Sequence, residues 1–267
     1  MASVDKMESI RQVPAEWIAR TGNTIDRIRI NIVSADLLNG REVWVKKRTF
    51  MSRLLVPVAN AFFSLAGNPV EVFATSPEWQ NYELATFRLL NGDTHGGGIL
   101  SENSIYTVAL PGQDLTQLLR TNRLNARVMA LVGAAFCRMH RTLQPANGEL
   151  FSHGDPHLGN VVYEHATESV GWLDFETVHR SGMEPVARHA DDLLVFLLDL
   201  VGRSGDEQWT MLSPAFLNGY PDASVVAELR KRLHPPNGLG AIWWAVRTSY
   251  LPSKILRKRI EWLRQQL

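Results

Sequence analysis

Two short motifs in the middle of the chain restrict its fold more than any other feature. HGDPHLGN covers residues 153–160 and WLDFE covers residues 172–176. The segment between them, VVYEHATESVGWL, has the pattern of two short strands around a polar turn. A hairpin there would return Asp174 to the side of Asn160, with Asp155 earlier in the same loop. The sequence therefore predicts that three oxygen-bearing side chains meet at one place.

Side chains of these types suit the transfer of a phosphoryl group from a magnesium nucleotide. That reaction needs a carboxylate to accept the proton of the attacking hydroxyl group, and oxygen ligands to hold Mg²⁺ against the phosphates. A zinc-dependent hydrolase is an alternative. His153, Asp155 and His157 alternate, His179 and His189 follow, and imidazole and carboxylate groups bind Zn²⁺. The zinc alternative gives no role to the hairpin.

The two motifs resemble those of the protein-kinase-like fold family, in its aminoglycoside phosphotransferase branch, to which the lipopolysaccharide-core kinases are similar. The resemblance implies that ATP is the phosphate donor and that Asp155 is the catalytic base. It also implies that Asn160 and Asp174 are the Mg²⁺ ligands. His153 and His157 are expected to support the catalytic loop.

The resemblance extends from about residue 100 to about residue 200. Within it, Asp192 of the segment RHADDL is expected to bond to the catalytic loop. The alternative is that the acidic pair of this segment only stabilises the N-terminus of a helix. Glu176 stands where protein kinases have a glycine, which favours a small-molecule kinase. Val108 and Leu110 are expected to offer backbone groups to adenine.

A strand before these motifs carries the candidate phosphate-binding lysine. Asn39-Gly40 is a strong turn signal, and REVWVKKR at 41–48 is typical of the strand that follows it. The kinase pattern places a phosphate-binding lysine on such a strand. It selects Lys46, with Lys47 as the alternative. No glycine-rich loop precedes the turn, and Trp44 stands where relatives carry a small residue over adenine.

A helix is predicted from Ser76-Pro77-Glu78 to Leu90, because serine caps helices and proline suits the first helical position. Glu83 lies on its apolar row. A carboxylate in that position is costly unless it is paired, so Lys46 is its expected partner. Glu78, on a more exposed face, is the alternative.

Two further segments could contact partners or a membrane at the surface of the protein. Residues 54–67 are apolar, and because Pro57 interrupts them we expect a buried connector, with a lipid-contacting helix as the alternative. Residues 226–267 carry nine lysines and arginines but two acidic residues. This charge indicates an anionic partner. The last helix also has an amphipathic run that could contact a membrane, consisting of Ile255, Leu256, Ile260, Trp262 and Leu263.

The expected fold is α+β and bilobal. A small sheet lobe at residues 1–108 would bind the nucleotide, and a larger helical lobe at residues 109–267 would carry the catalytic loop. The chain shows no apolar secretory signal and no run of about 18 apolar residues. We therefore expect a cytoplasmic protein, with peripheral contact at the inner membrane face as a further hypothesis. No nucleic-acid partner is expected.

Three functions remain open from the sequence. The first is a kinase that phosphorylates a hydroxyl group of a small molecule, sugar or glycolipid, with an anionic acceptor favoured by the basic tail. The second is a pseudokinase that acts as a binding or scaffold module, which Trp44 and the missing glycine-rich loop favour. The third is a protein kinase, which Glu176 and the lack of a long activation segment disfavour.

Overall fold

The computed structural model of the chain describes residues 31–144 and 148–267, so the start of the expected N-terminal lobe lies outside the described residues. The strands are β1 Asn31–Leu38, β2 Arg41–Arg48, β3 Val70–Val72, β4 Gly97–Ser101, β5 Ser104–Val108, β6 Gln113–Asp114, β7 Val161–Glu164, β8 Ser169–Trp172 and β9 Thr177–His179. The helices are α1 Ser52–Leu65, α2 Ser76–Asn91, α3 Leu115–Arg120, α4 Ala126–His140, α5 Pro185–Arg203, α6 Asp206–Asn218, α7 Ala223–Arg232, α8 Leu239–Arg247 and α9 Ser253–Gln266. A small antiparallel sheet precedes a mainly helical part, which confirms the α+β prediction.

The main sheet has the antiparallel order β1-β2-β5-β4. Its first hairpin turns at Asn39 and Gly40, whose φ angles are 52° and 76°. Positive φ at both central residues suits the right-handed twist of the flanking strands, which explains the Asn-Gly pair. Along β2, Lys46 is buried and Lys47 is exposed. The sheet therefore sends Lys46, and not Lys47, towards the interior.

Helix α2 ends as the sequence predicts but begins with a different cap. Thr75, one residue before the expected Ser76, caps the helix by accepting a hydrogen bond from Glu78 N. The helix stops at Asn91, and Gly92 follows with a φ angle of 84°. Glu83 is buried on the face that points towards β2.

The core of the helical part forms where α4, α5 and α6 meet. Phe136, Phe196 and Phe216 pack together there, with ring centroids 4.4 to 5.1 Å apart. Two glycines let the backbones of α4 and α6 touch. A Cβ atom on Gly133 would lie 2.0 Å from Phe216 O, and one on Gly219 would lie 2.0 Å from Ala130 O. The packing of α4 on α6 therefore depends on glycine at both positions.

The expectation of a buried connector at residues 54–67 is wrong. The segment forms α1, which continues through Pro57 and buries little besides Val56. Asn60 ties the helix to β3 by bonding Val72 N at 2.8 Å and Val72 O at 2.9 Å. Large apolar side chains of α1 remain exposed at Leu54, Val58 and Leu65.

The basic tail, residues 226–267, forms most of α7 and all of α8 and α9. The apolar surface of α9 that was expected to face a membrane is largely buried inside the protein. Leu256, Ile260 and Leu263 are buried in the core of the helical part, while Ile255 stays partly exposed. Arg259 is also buried and donates to Val201 O at 2.7 Å and Ser204 O at 2.8 Å. The apolar run of α9 is therefore packing surface. None of the helices in residues 31–144 and 148–267 is long and apolar enough to cross a membrane.

Candidate active site

The two sequence motifs fold as the predicted hairpin. Strands β7 and β8 pair with Val161 opposite Trp172, and Leu173 N donates to Asn160 O at 2.9 Å. This bond fixes the residue before Asp174 beside Asn160. Asn160 Nδ2 in turn donates to Asp155 O at 2.9 Å. The backbone at Asp155, Asn160 and Asp174 is thus held in one unit, as the motif spacing predicts.

The loop of the first motif, residues 153–160, is the candidate catalytic loop and is tied to α5 through Asp192. Its buried carboxylate accepts hydrogen bonds from His153 N at 2.7 Å and Gly154 N at 2.8 Å, and it lies 3.0 Å from His140 Nε2. Burial would raise the pKa of Asp192, but the hydrogen bond with His140 and the charge of His179 hold it well below its usual range. Asp192 therefore anchors the loop as an ionised carboxylate.

A second anchor on α5, Asp199, escaped the sequence analysis. Leu158 N donates to Asp199 Oδ2 at 3.0 Å, and Arg203 Nε donates to Asp199 Oδ1 at 2.6 Å. Asp199 lies two helical turns after Asp192, so both carboxylates share one face of α5. That spacing, within an otherwise apolar helix, is the signal that could have identified it.

Both histidines of the first motif have structural partners. His153 is buried, and its Nε2 lies 3.0 Å from Leu173 O, so it links the catalytic loop to the hairpin. Burial lowers the pKa of His153 despite the nearby carboxylates. His157 Nδ1 accepts a hydrogen bond from Gly159 N at 3.0 Å and caps the short 3₁₀ turn at 158–160.

These contacts give no support to the zinc alternative. Of the other candidate ligands, His179 Nδ1 lies 2.9 Å from Ser152 Oγ, and His189 Nε2 lies 2.9 Å from Phe151 O. Within the part of the chain that the structure describes, no three His, Cys, Asp or Glu side chains converge in a way that could hold a metal ion. The alternation of His153, Asp155 and His157 does not bring their side chains to one point.

Lys46 is buried among three carboxylates from two separate segments, Glu83 on α2 and the pair Asp174 and Glu176 after β8. Its Nζ atom lies 3.0 Å from Glu83 Oε2 and 3.2 Å from Glu176 Oε2, and it also contacts Asp174. Burial would lower the pKa of Lys46, but these three carboxylates raise it well above its usual value. Glu83 is buried beside Trp79, whose Nε1 donates to it, and burial raises the pKa of its carboxyl group.

Glu176 belongs to this cluster, although sequence reasoning treated it only as a mark of the family branch. Burial, followed by the charge of Asp174, raises the pKa of Glu176 to about 7. Phe175 between them is fully buried and packs 5.0 Å from the His153 ring. Asp174 adopts a φ angle of 65°. This left-handed turn helps both acidic side chains of the triplet to reach Lys46.

A cavity of about 490 Å³ lies between the sheet and the hairpin of β7 and β8. Its lining includes Trp44, Lys46, Glu83, Leu110, Asn160 and Asp174. Of the two residues expected to bind adenine, Leu110 lines this cavity and Val108 does not. Val108 N donates to Gly96 O at 2.9 Å, because the strand pairing continues to that residue. Val108 therefore has no free N–H group to offer, whereas Leu110 lines the cavity.

Asp155 has a partner that the sequence did not indicate. Arg247, at the end of α8, donates from Nη1 to Asp155 Oδ1. Burial would raise the pKa of Asp155, but Arg247, with a smaller contribution from His157, lowers it below its usual value. Arg247 also lies over the ring of Trp243, with its Cζ atom 4.3 Å from the ring centroid. The basic tail thus reaches the candidate catalytic carboxylate itself.

No family model and no curated protein matches the chain. Among solved structures it is similar to Rv3197 from Mycobacterium tuberculosis in complex with erythromycin, with 14% identity and a TM-score of 0.41. That match covers 70% of this chain and 51% of the other. Plasmodium vivax ethanolamine kinase matches with 10% identity and a TM-score of 0.43, over 86% and 82% of the two chains. The chain thus spans about half the length of the first protein. Likenesses this remote do not assign roles to the residues of this chain.

Proposed function

We propose that the protein is an ATP- and Mg²⁺-dependent phosphotransferase that phosphorylates a hydroxyl group. The observation that carries this proposal is the meeting of Lys46, Asn160 and Asp174 at one cavity, with Asp155 on the same loop as Asn160. Phosphoryl transfer needs these groups and little covalent chemistry from the protein. The resemblance of the two motifs to the aminoglycoside phosphotransferase branch of the kinase-like family supports the same assignment.

The donor set suits a divalent cation. Three carboxylates face the single ammonium of Lys46, so the cluster carries an excess of negative charge. Asn160 and Asp174 offer the oxygen atoms that Mg²⁺ prefers. Asn160 and Asp174 would hold Mg²⁺, which would supply positive charge to neutralise the phosphates. Glu176, next to Asp174 and Lys46, is a further candidate oxygen ligand.

The protein side chains then bind the nucleotide phosphates and accept the proton of the acceptor. Lys46, steadied by Glu83, attracts the phosphates of the nucleotide from the sheet side of the cavity. Asp155 accepts the proton of the acceptor hydroxyl group. The loop that carries Asp155 is held by Asp192 and His153, so the carboxylate is positioned before the substrates bind.

The acceptor that best fits this site is anionic. Residues 226–267 carry a large excess of cations, and Arg247 brings one of them to Asp155. A phosphorylated sugar or a glycolipid is complementary to this charge, whereas a cationic antibiotic is not. We place the protein in the cytoplasm, with peripheral contact at an anionic membrane if the acceptor is a lipid.

A thermal-shift titration with ATP, with and without Mg²⁺, tests the proposal. A ligand that binds the folded state raises its stability, so ATP should raise the Tm more when Mg²⁺ is present. Asp155→Asn should keep this shift but lose at least about a hundredfold in turnover, the scale of general-base removal. Asp36→Asn, a change at an exposed carboxylate, is the control. Turnover at the wild-type rate in Asp155→Asn would contradict the role of Asp155.

The pseudokinase hypothesis is the second candidate, and one observation favours it. Arg247 neutralises Asp155 in this structure, as it would in a protein that binds a nucleotide without using it. The same titration separates the two. Magnesium-dependent ATP binding without any detectable turnover would favour the binding module.

A further inference from the structure

We propose that Arg247 is the acceptor-recognising residue, that it binds a phosphate group carried by the acceptor, and that it releases Asp155 when that group arrives. The inference rests on the proposed function and adds the class of acceptor. The site it defines lies on the α8 side of the catalytic loop, away from the nucleotide cavity, whose lining includes neither Arg247 nor Asp155.

The position of Arg247 is fixed by the packing of α8 on α5. A Cβ atom on Gly202 would lie 2.4 Å from Thr248 O, so the end of α8 rests directly on the backbone of α5. Thr248 is fully buried and caps the helix by donating to Trp244 O at 2.9 Å. Arg247, one residue earlier, is therefore delivered to Asp155 by rigid elements.

The guanidinium group of Arg247 has unused capacity to bind an anion. Its side chain is about nine-tenths buried, and its Nε atom has no hydrogen-bond partner among the described residues. The guanidinium group lies over the ring of Trp243, and the ring of Phe63 packs 5.1 Å from Trp243. A planar, oriented guanidinium group can bind phosphate through two parallel hydrogen bonds, which a lysine cannot do.

The contact with Asp155 explains why recognition and catalysis would be coupled. While Arg247 donates to Asp155 Oδ1, that oxygen atom is occupied and is not free to accept the proton of a hydroxyl group. A phosphate dianion is a stronger partner for arginine than one carboxylate oxygen, because it carries more charge and accepts two hydrogen bonds. An acceptor phosphate would therefore draw Arg247 away, free Asp155, and leave a nearby hydroxyl group of the same molecule beside the base.

Two sources can supply such a phosphate: a soluble phosphorylated metabolite or a lipid headgroup. The outer face of α8 bears on the choice, because Ile242 is half exposed and Val246 is partly exposed on the helix that carries Arg247. Helix α1, which contacts α8 through Phe63 and Trp243, exposes the apolar side chains of Leu54, Val58 and Leu65. The test therefore includes both sources.

Binding is measured first, with the full chain saturated by ATP and Mg²⁺. The soluble probes are sn-glycerol 3-phosphate and inorganic phosphate, with glycerol as the uncharged match. The lipid probe is phosphatidylcholine vesicles with and without phosphatidic acid. At least one phosphate-bearing probe should bind the wild type, and Arg247→Gln should weaken this binding at least about tenfold, the scale of one lost charge-assisted interaction. Arg257→Gln, on the exposed side of α9, should bind like the wild type.

Turnover provides the second readout. Basal Mg²⁺-dependent ATP hydrolysis should rise several-fold in Arg247→Gln, because Asp155 is released, and the probe that binds should stimulate the wild type more than this variant. Arg247→Lys should keep the charge but lose most of the phosphate affinity. A soluble source is indicated if glycerol 3-phosphate or inorganic phosphate binds, and a lipid source if only phosphatidic acid vesicles do.

The two proposals fail in different ways. If ATP with Mg²⁺ does not stabilise the wild type, the proposed function is wrong and the inference falls with it. If ATP with Mg²⁺ stabilises the wild type and Arg247→Gln equally, the variant is folded. In that case, two results overturn the inference but not the proposed function. Either none of the phosphate probes binds the wild type, or Arg247→Gln binds them as tightly as the wild type does.

Discussion

The Nζ atom of Lys46 lies 3.0 Å from Glu83 Oε2, and both side chains are buried where the sheet, α2 and the hairpin of β7 and β8 meet. Lys46 also contacts Asp174 and Glu176, which follow the hairpin. One ammonium group thus joins three segments that are far apart in sequence. Because buried carboxylates without a counter-charge are strongly unfavourable, this group supports the fold as well as the proposed nucleotide site.

Replacing Lys46 by methionine should therefore reduce stability as well as nucleotide binding. The change leaves the buried carboxyl group of Glu83 without its cation, and we expect a loss of about 3 kcal/mol in the free energy of unfolding. Lys47→Met is the matched control, because Lys47 is exposed on the same strand and should change stability by no more than about 0.5 kcal/mol. Urea denaturation measures both changes, and equal effects would show that Lys46 is not a buried counter-charge that supports the fold.

Asp174→Asn should weaken the magnesium-dependent part of ATP binding. Asparagine tolerates the left-handed backbone at this position, where φ is 65°, so the variant removes the charge without straining the chain. We expect affinity for ATP with Mg²⁺ to fall roughly tenfold or more, since even indirect support of a metal site is worth that much. Calorimetric titration with and without Mg²⁺ measures the loss. Asp93→Asn, in an exposed turn, should bind normally, and unchanged binding in Asp174→Asn would remove Asp174 from the metal site.

Asp192→Asn should loosen the catalytic loop. The carboxylate accepts bonds from His153 N and Gly154 N, and an amide group would turn a donor towards at least one of them. We expect a loss of about 2 to 4 kcal/mol of stability, together with slower turnover. The neighbouring Asp191→Asn should cost about 1 kcal/mol, because Asp191 has weaker contacts, with His179 at 3.3 Å and with Arg232 at 4.0 Å. Chemical denaturation that ranks the two variants in reverse order would assign the loop anchor to Asp191.

His189 should make stability depend on pH. Burial, and then the neighbouring His140 ring stacked 4.1 Å away, lower the pKa of His189 to about 4. Between the unfolded pKa of about 6.5 and this value, the unfolded chain binds a proton that the folded chain does not. Stability is therefore lost as pH falls through this window, by up to about 3 kcal/mol from this group.

His189→Gln keeps a side-chain N–H group for Phe151 O but does not titrate, so its unfolding free energy should fall less than that of the wild type between pH 6.5 and pH 4. Chemical denaturation at a series of pH values gives the difference between the two profiles. His165→Gln, a change at an exposed histidine, should follow the wild type. Parallel profiles for wild type and His189→Gln would show that His189 titrates normally.

Local sequence signals were enough to predict the parts of the site that are close together in the chain. Asn39-Gly40 specified its hairpin because few residue pairs accept two positive φ angles. The short connection from Asn160 to Asp174 admitted little besides a hairpin. The pair of Lys46 and Glu83 was predicted across a longer distance, because the kinase pattern selected Lys46 and a carboxylate on an apolar row requires a partner of opposite charge.

The sequence by itself determined which segments are strands and helices, and which residue types the motif brings together, since these follow from backbone preference and short spacing. Only the tertiary structure decided which neighbour covers each apolar face and which charges meet. It buried α9, whose sequence suited a membrane surface, and exposed α1, whose sequence suited a core. It also placed Arg247 on Asp155, 92 residues apart. Periodicity shows that a helix has an apolar face, but the partner of that face depends on how distant elements pack.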